Sequence, residues 1–156
     1  MEFHKDFAEL CSLLNAQGVE FLIVGGYAVA FHGAPRFTGD MDLLVRPAKG
    51  PILRVLEALQ QFGFPTAQVT AEHLLERQKI LQLGREPVQV HIMTSITGVS
   101  WEEAWGSRKS GFYGDVPVNF IGVEALIANK KAVGRMKDLA DVEALRPPES
   151  PATADR

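Results

Sequence analysis

The fold is decided by residues 21–46, which read FLIVGGYAVAFHGAPRFTGDMDLLVR. The short apolar run from Phe21 to Val24 ends at two glycines, a pattern that predicts a buried strand followed by a turn. Residues Ala28 to Phe31 are typical of a short helix. The alternation from Met41 to Val45 predicts a second strand. The segment therefore predicts a strand, a glycine turn, a helix and a returning strand.

Two features of this segment point to chemistry. Gly25 and Gly26 allow the backbone to approach a ligand closely, and amides at a helix N-terminus favour a phosphate. Asp40 and Asp42 follow after thirteen residues, and strand alternation places both carboxylates on one face. Clustered anions repel one another unless a cation lies between them, and their hard oxygens suit Mg²⁺. Each feature alone is most often a turn or a solvated surface, but the combination favours a site for phosphoryl transfer.

Apolar periodicity outside this segment predicts the remaining elements. Helices are expected at 3–17, 52–62, 71–77, 101–105, 123–133 and 136–145, and strands at 80–83, 88–93, 110–113 and 116–121. This order indicates an α/β (α+β) domain with a mixed sheet flanked by helices. We expect the ordered domain to span residues 2–146 and the tail at 147–156 to be disordered.

Composition limits the class of protein. The chain has 156 residues with 46% hydrophobic and 22% charged residues, as expected for one globular domain. The net charge of −3 argues against a surface that binds polyanions all over, so any such site must be local. The lone Cys11 falls in an apolar helical pattern and is expected in the core. A charged N-terminus and the lack of a membrane-length apolar run predict a cytoplasmic protein without a membrane partner.

The motif residues resemble the signature of the DNA polymerase β-type nucleotidyltransferase superfamily, here Val24-Gly25-Gly26 followed by Asp40-Met41-Asp42-Leu43. More narrowly, the chain is similar to small bacterial nucleotidyltransferases related to abortive-infection toxins. The narrower resemblance is carried by Gly25-Gly26-Tyr27-Ala28, His32-Gly33, Arg36-Phe37-Thr38, Lys130 to Arg135, and Lys137-Asp138 with Asp141. It covers residues from about 20 to 145, nearly the whole expected domain.

The resemblance implies a nucleotidyltransferase fold in which Asp40 and Asp42 bind Mg²⁺. It also implies that Gly25 and Gly26 hold the β- and γ-phosphates of a nucleoside triphosphate. A third carboxylate on a neighbouring strand is expected within Val88 to Met93. It would complete the metal site and help to deprotonate the acceptor.

The residue at the expected third position is His91, which departs from the family pattern. Neutral imidazole is a poor Mg²⁺ ligand but can accept a proton. Either His91 takes the role of the base, or the third function is lost. We favour the loss, because a missing hard ligand weakens the metal site.

Further nucleotide-binding residues are implied by the same resemblance. They are Arg36, Thr38, Lys130, Lys131 and Arg135. The cations near the end of the helix at 123–133 also complement its dipole, and both roles can hold at once. Asp138 and Asp141 either orient these basic side chains or cap and solvate the last helix, and the sequence does not rank the two.

Two functions follow from these expectations. The first is transfer of a nucleoside monophosphate from a Mg²⁺-bound triphosphate to an RNA or protein acceptor, in a toxin–antitoxin context with a partner antitoxin. The second is a degenerate binding module without turnover, which His91 favours. A third possibility is a structural subunit in which Asp40 and Asp42 are only surface charges. Nothing in the sequence favours it.

Overall fold

The computed structural model describes residues 3–34, 38–76, 79–85 and 88–146. The helices are α1 (Lys5–Ala16), α2 (Gly25–Phe31), α3 (Lys49–Phe62), α4 (Ala71–Leu75), α5 (Trp101–Gly106), α6 (Val123–Val133) and α7 (Met136–Leu145). The strands are β1 (Phe21–Val24), β2 (Asp40–Val45), β3 (Ile80–Arg85), β4 (Val88–Met93), β5 (Lys109–Tyr113) and β6 (Val116–Phe120). The predicted tail at 147–156 lies outside the described residues, so its disorder stays a prediction.

The described strands form one mixed six-stranded sheet in the order β3-β4-β2-β1-β6-β5. Strand β1 pairs antiparallel with β2 and parallel with β6, while β2 pairs parallel with β4. The hairpins β3–β4 and β5–β6 are antiparallel and supply the two edges. The mixed sheet predicted from the element order is confirmed, and β1 and β2 lie at its centre.

The core lies between the sheet and α1, whose buried stripe matches the predicted periodicity. Phe7, Leu10, Cys11 and Leu14 are all buried. Cys11 Sγ lies 4.0 Å from Met41 Sδ, so α1 covers the face of β2 that carries Met41. Burial raises the pKa of the Cys11 thiol to about 12, and its predicted place in the core is confirmed.

Two of the differences between the observed and the predicted element bounds have a clear cause in the backbone. Helix α2 begins at Gly25 and not at Ala28, because Gly25 adopts a φ of 67° that lets the chain pass from strand to helix without a linker. Strand β3 continues to Arg85, beyond the predicted end at residue 83, because its ladder with β4 extends to the pair Arg85↔Val88. In the described parts of the chain, no helix combines the length and the apolar character that a membrane span requires.

Candidate functional site

The acidic pair lies at the start of β2, on one face of the sheet. Met41 and Leu43 are fully buried, whereas Asp40 and Asp42, which alternate with them, are only partly buried. This alternation is that of a strand with one face toward the core. The charge of Asp40 also contributes to a raised pKa at Asp42, as expected for two carboxylates that share a face.

Gly25 lies directly against the Asp42 carboxylate. The antiparallel register pairs Val24 with Asp42, so the first residue of α2 follows beside this acid. A Cβ atom at Gly25 would collide with Asp42 Oδ2 and would lie 3.1 Å from Asp42 Cγ. The structure therefore brings the glycine bend and the second acid of the pair into contact, and only glycine fits this position.

Thr38 lies against the second glycine of the bend. A Cβ atom at Gly26 would lie 2.7 Å from Thr38 Oγ1, and this hydroxyl donates a hydrogen bond to Asp40 O at 3.2 Å. Thr38 therefore joins the bend to the start of β2. The predicted phosphate contact Arg36 lies outside the described residues.

His91 occupies the neighbouring strand position predicted for the third ligand. The parallel ladder pairs His91 with Asp42, and His91 Nδ1 lies 2.9 Å from Asp42 Oδ1. Both side chains are partly exposed, at 23% for His91 and 26% for Asp42. Because an ionised carboxylate only accepts hydrogen bonds, Nδ1–H is the donor in this pair.

The electrostatic state of Asp42 is set by opposing effects. Burial raises the pKa of Asp42 above its ordinary value, and the repulsion from Asp40 adds to this rise. The charge and hydrogen bond of His91, together with the charge of Lys130, act in the opposite direction without cancelling it. The folded protein therefore disfavours the ionised form of Asp42, and a bound cation would offset this cost.

The donor set around Asp42 fits Mg²⁺ held jointly with a ligand. In the parts of the chain that the structure describes, no group of three or more His, Cys, Asp or Glu side chains could hold a metal ion by itself. Mg²⁺ in phosphoryl-transfer sites is commonly bound by one or two carboxylates, with waters and substrate phosphates as the other ligands. Asp40 and Asp42 supply the two carboxylates that such a site requires.

Two of the predicted basic residues, Lys130 and Arg135, meet at the junction of α6 and α7. Helix α6 also contacts α2. Lys130 is buried, and its Nζ lies 3.3 Å from Asp138 Oδ1 and 3.1 Å from Asp141 Oδ2. Arg135 Nε donates to Asp138 Oδ2 at 2.6 Å, while Lys131 is exposed.

The charges of this cluster act on the acidic pair. Lys130 lowers the pKa of Asp42. The pKa of Arg135 is raised by the hydrogen bonds that it donates to Asp138 and, to a smaller extent, by the charge of Asp42. Two of the predicted phosphate-binding cations therefore lie within electrostatic range of the predicted metal ligands.

Asp138 and Asp141, which the sequence could not rank, are buried partners of these cations. Their exposed fractions are 1% and 6%, so they do not solvate the helix. Asp138 also accepts a hydrogen bond from Arg135 N at 3.3 Å and thereby caps α7. Asp138 and Asp141 share a buried stripe of α7 with Val142 and Leu145, and two acids in an otherwise apolar stripe are the signal that could have identified them.

Asp42 and Asp138 are expected to affect stability in opposite directions. The raised pKa of Asp42 means that folding disfavours its ionised form, so this penalty grows as the pH rises above about 4. Burial alone would raise the pKa of Asp138, but hydrogen bonds from Arg135 and Lys130 outweigh it and hold the pKa below its ordinary value. Asp138 therefore adds stability above about pH 4 that is lost as the pH falls through its folded pKa.

Thermal unfolding without divalent cations checks this contrast. At pH 7 we expect Asp42→Asn to melt at or above the wild-type temperature. Asp138→Asn should lose about 3 kcal/mol, because it removes one of the two carboxylates that compensate the buried Lys130 ammonium. Both differences should shrink toward pH 3. Asp115→Asn, at an exposed position, is the control, and a clearly lower melting temperature for Asp42→Asn would contradict the assignment.

Three solved structures resemble the fold. The lincosamide antibiotic adenylyltransferase LnuA, bound to lincomycin, has a TM-score of 0.60 and 13% identity over 93% of this chain and 98% of its own. An antigenic nucleotidyltransferase-like protein from Paracoccidioides brasiliensis has a TM-score of 0.55 and 15% identity over 96% and 81% of the two chains. The antibiotic-resistance factor ANT(2'')-Ia has a TM-score of 0.55 and 13% identity over 90% and 80%.

These similarities confirm the predicted nucleotidyltransferase fold. No family model matches the sequence, and no curated protein matches it either. Identities of 13% to 15% establish shared architecture only, because one fold hosts many activities. The narrower relation to abortive-infection toxins stays a prediction.

Proposed function

We propose that the chain is a nucleotidyltransferase that binds a Mg²⁺–nucleoside triphosphate where the glycine bend meets the acidic pair. It would transfer the nucleoside monophosphate to an acceptor hydroxyl and release pyrophosphate. The observation that carries this proposal is the contact between Gly25 and the Asp42 carboxylate. That contact places a backbone segment that could receive a phosphate beside an acid that could bind the metal ion. The shared fold supports the same assignment.

Asp40 and Asp42 would hold the cation through their carboxylate oxygens, and the amides of Gly25 and Gly26 would donate to phosphate oxygens. When bound, Mg²⁺ would neutralise charge on the triphosphate and make its phosphorus more electrophilic. Thr38, which lies against Gly26, would fix the bend in the conformation that receives the phosphates.

Lys130 and Arg135 would stabilise the negative charge that develops on the leaving pyrophosphate. Their charges already act on Asp42 without a ligand. Preorganised cations in a partly buried site stabilise a transition state without reorganisation at the moment of reaction. Exposed Lys131 would add to the attraction of the triphosphate from solvent.

His91 would act as the base in this scheme. Because His91 Nδ1 donates to Asp42 Oδ1, its neutral form keeps the lone pair on Nε2. Nε2 would accept the proton of the acceptor hydroxyl as the oxygen bonds to the α-phosphorus. The bond between the α-phosphorus and the bridging oxygen would break, and pyrophosphate would leave with that oxygen.

The second candidate is a binding module that holds the nucleotide without turnover. The hydrogen bond between His91 and Asp42 favours this candidate. A histidine stands where the family resemblance places a carboxylate, and it occupies one oxygen of Asp42. Nucleotide binding is common to both candidates. Only transfer to an acceptor separates them.

RNA or protein is the acceptor class that we propose from the motif resemblance, with a partner antitoxin as the corresponding regulator. Two of the similar structures are of an antibiotic adenylyltransferase and an antibiotic-resistance factor. An antibiotic acceptor is therefore an outcome that the test must include.

The test combines nucleotide-dependent melting with label transfer. ATP, GTP, CTP and UTP are each added with Mg²⁺, and we expect at least one to raise the melting temperature by about 5–10 °C at saturating concentration. EDTA should cancel the shift. Transfer of label from the α-³²P triphosphate to RNA, to protein or to an antibiotic such as lincomycin then identifies the acceptor.

The outcomes separate the candidates. A thermal shift with label transfer supports the enzyme, and a shift without transfer to any acceptor supports the binding module. Absence of a shift with all four nucleotides would contradict both.

A further inference from the structure

Four charged side chains, three of them buried, form a network at the junction of α6 and α7. Lys130 and Arg135 contribute two positive charges, and Asp138 and Asp141 contribute two negative charges. The side chains of Lys130 and Asp141 are each 8% exposed and that of Asp138 is 1% exposed, whereas Arg135 is 59% exposed. Arg135 therefore reaches solvent from a network whose other members are enclosed.

Asp138 is engaged by both cations. Its Oδ1 accepts from Lys130 Nζ at 3.3 Å and from Arg135 Nη2 at 3.3 Å. Its Oδ2 accepts from Arg135 Nε at 2.6 Å and from Arg135 N at 3.3 Å. Asp138 thus fixes the start of α7 as well as the cations, so its replacement would disturb several features at once.

Asp141 can be tested separately from the cap of α7, because its carboxylate is the second of two that hold the Lys130 ammonium. Lys130 Nζ lies 3.1 Å from Asp141 Oδ2 and 3.3 Å from Asp138 Oδ1. A lysine ammonium ends a flexible four-carbon chain, so a single partner leaves its direction poorly defined. With two carboxylates in place, one of its three N–H donors is left for a ligand.

We propose that Asp141 is a positioning residue that, with Asp138, directs the Lys130 ammonium toward the phosphates of the bound nucleotide. This inference rests on the proposed function. It predicts that Asp141 favours nucleotide binding, although the negative charge of Asp141 by itself would repel the phosphates. Helix α6, which carries Lys130, contacts α2, whose first two residues are the glycines of the bend, so the lysine lies on a helix that packs against the proposed site. Asp141 itself acts through Lys130 and has no contact with substrate in this proposal.

The sign of the effect distinguishes positioning from simple electrostatics. Removing a carboxylate near a triphosphate site should tighten binding if only its charge matters, because a repulsion is lost. If Asp141 positions Lys130, its removal should instead weaken binding. The two accounts therefore predict opposite changes for the same substitution.

The experiment measures binding of Mg²⁺–tripolyphosphate by isothermal titration calorimetry, which requires no knowledge of the base or the acceptor. We expect Asp141→Ala to weaken binding about tenfold, the size of one charge-assisted hydrogen bond. Glu143→Ala, which removes an exposed carboxylate of the same helix, should leave binding unchanged or slightly tighter. Asp141→Asn keeps an acceptor oxygen and should fall between the wild type and Asp141→Ala.

A double-mutant cycle tests whether Asp141 acts through the lysine. In a Lys130→Gln background, Asp141→Ala should cause no further loss of affinity, since the group that it positions is gone. The double variant also removes both members of a buried ion pair together, which protects the fold. A purely structural role for Asp141 would weaken binding in both backgrounds.

Two results would contradict the inference. Binding that is unchanged or tighter in Asp141→Ala contradicts it, and so does an additive loss in the Lys130→Gln background. Should Asp141→Ala fail to fold by circular dichroism, Asp141→Asn decides: affinity below the wild type supports the inference, and affinity equal to or above the wild type contradicts it. A wild-type protein that binds neither tripolyphosphate nor any nucleotide would refute the proposed function itself.

Discussion

Gly25→Ala is expected to abolish Mg²⁺-dependent nucleotide binding, whereas Gly18→Ala leaves binding intact. The two glycines have nearly the same backbone conformation, with φ values of 67° and 69°. Alanine at either position therefore carries a similar cost of about 1–2 kcal/mol for a left-handed backbone. The positions differ in what a Cβ atom would meet: nothing within 4 Å at Gly18, but the Asp42 carboxylate at Gly25.

The added methyl group at Gly25 would displace the Asp42 carboxylate, the bend, or both. A shift of the order of 1 Å in a catalytic site can cost about 100-fold in activity, and here it would separate the metal ligand from the phosphate-binding backbone. Nucleotide-dependent melting of both variants provides the measurement. If Gly25→Ala kept the wild-type thermal shift, the close approach of bend and acid would have no role in binding.

Replacing Asp40 and Asp42 together by Asn is expected to remove the nucleotide-dependent thermal shift and to reduce label transfer by about 1000-fold or more. The two amides keep the shape of the acids but lose the charge that holds a divalent cation, which contributes several kcal/mol to a phosphoryl-transfer transition state. Measuring label transfer at several Mg²⁺ concentrations checks whether excess metal restores any activity.

Two controls separate loss of the metal site from loss of the fold. Asp115→Asn removes an exposed acid in the turn between β5 and β6 and should leave transfer unchanged. The double variant should melt no lower than the wild type in EDTA, because the raised pKa of Asp42 marks its charge as a cost to folding. Full transfer by the double variant would show that the acidic pair is not the metal site.

The elements with strong local signals could be predicted from the sequence. The bounds of α6 and α7 agree with the prediction, since apolar periodicity and Gly134, which has a φ of 74°, mark their ends. The start of α2 was missed because it depends on a positive φ at Gly25. Periodicity describes which side chains share a face and carries no information on a single backbone angle.

The candidate site was predictable only where its residues lie close together in the sequence. The glycine bend and the acidic pair are joined by one strand pairing, so their contact follows from a local hairpin-like unit. The bond between Asp42 and His91 spans 49 residues and depends on the parallel register of β2 and β4. The stripe of α7 places Asp138 and Asp141 on its buried face, but their partner Lys130 lies on another helix, and the pattern of α7 carries no information on that partner.

The most direct measurement is a crystal structure with Mg²⁺ and a non-hydrolysable nucleoside triphosphate. We expect a cation coordinated by carboxylate oxygens of both Asp40 and Asp42, with phosphate oxygens accepting hydrogen bonds from the amides of Gly25 and Gly26. A triphosphate bound elsewhere on the chain, or a cation that touches neither acid, would contradict the assignment of this site.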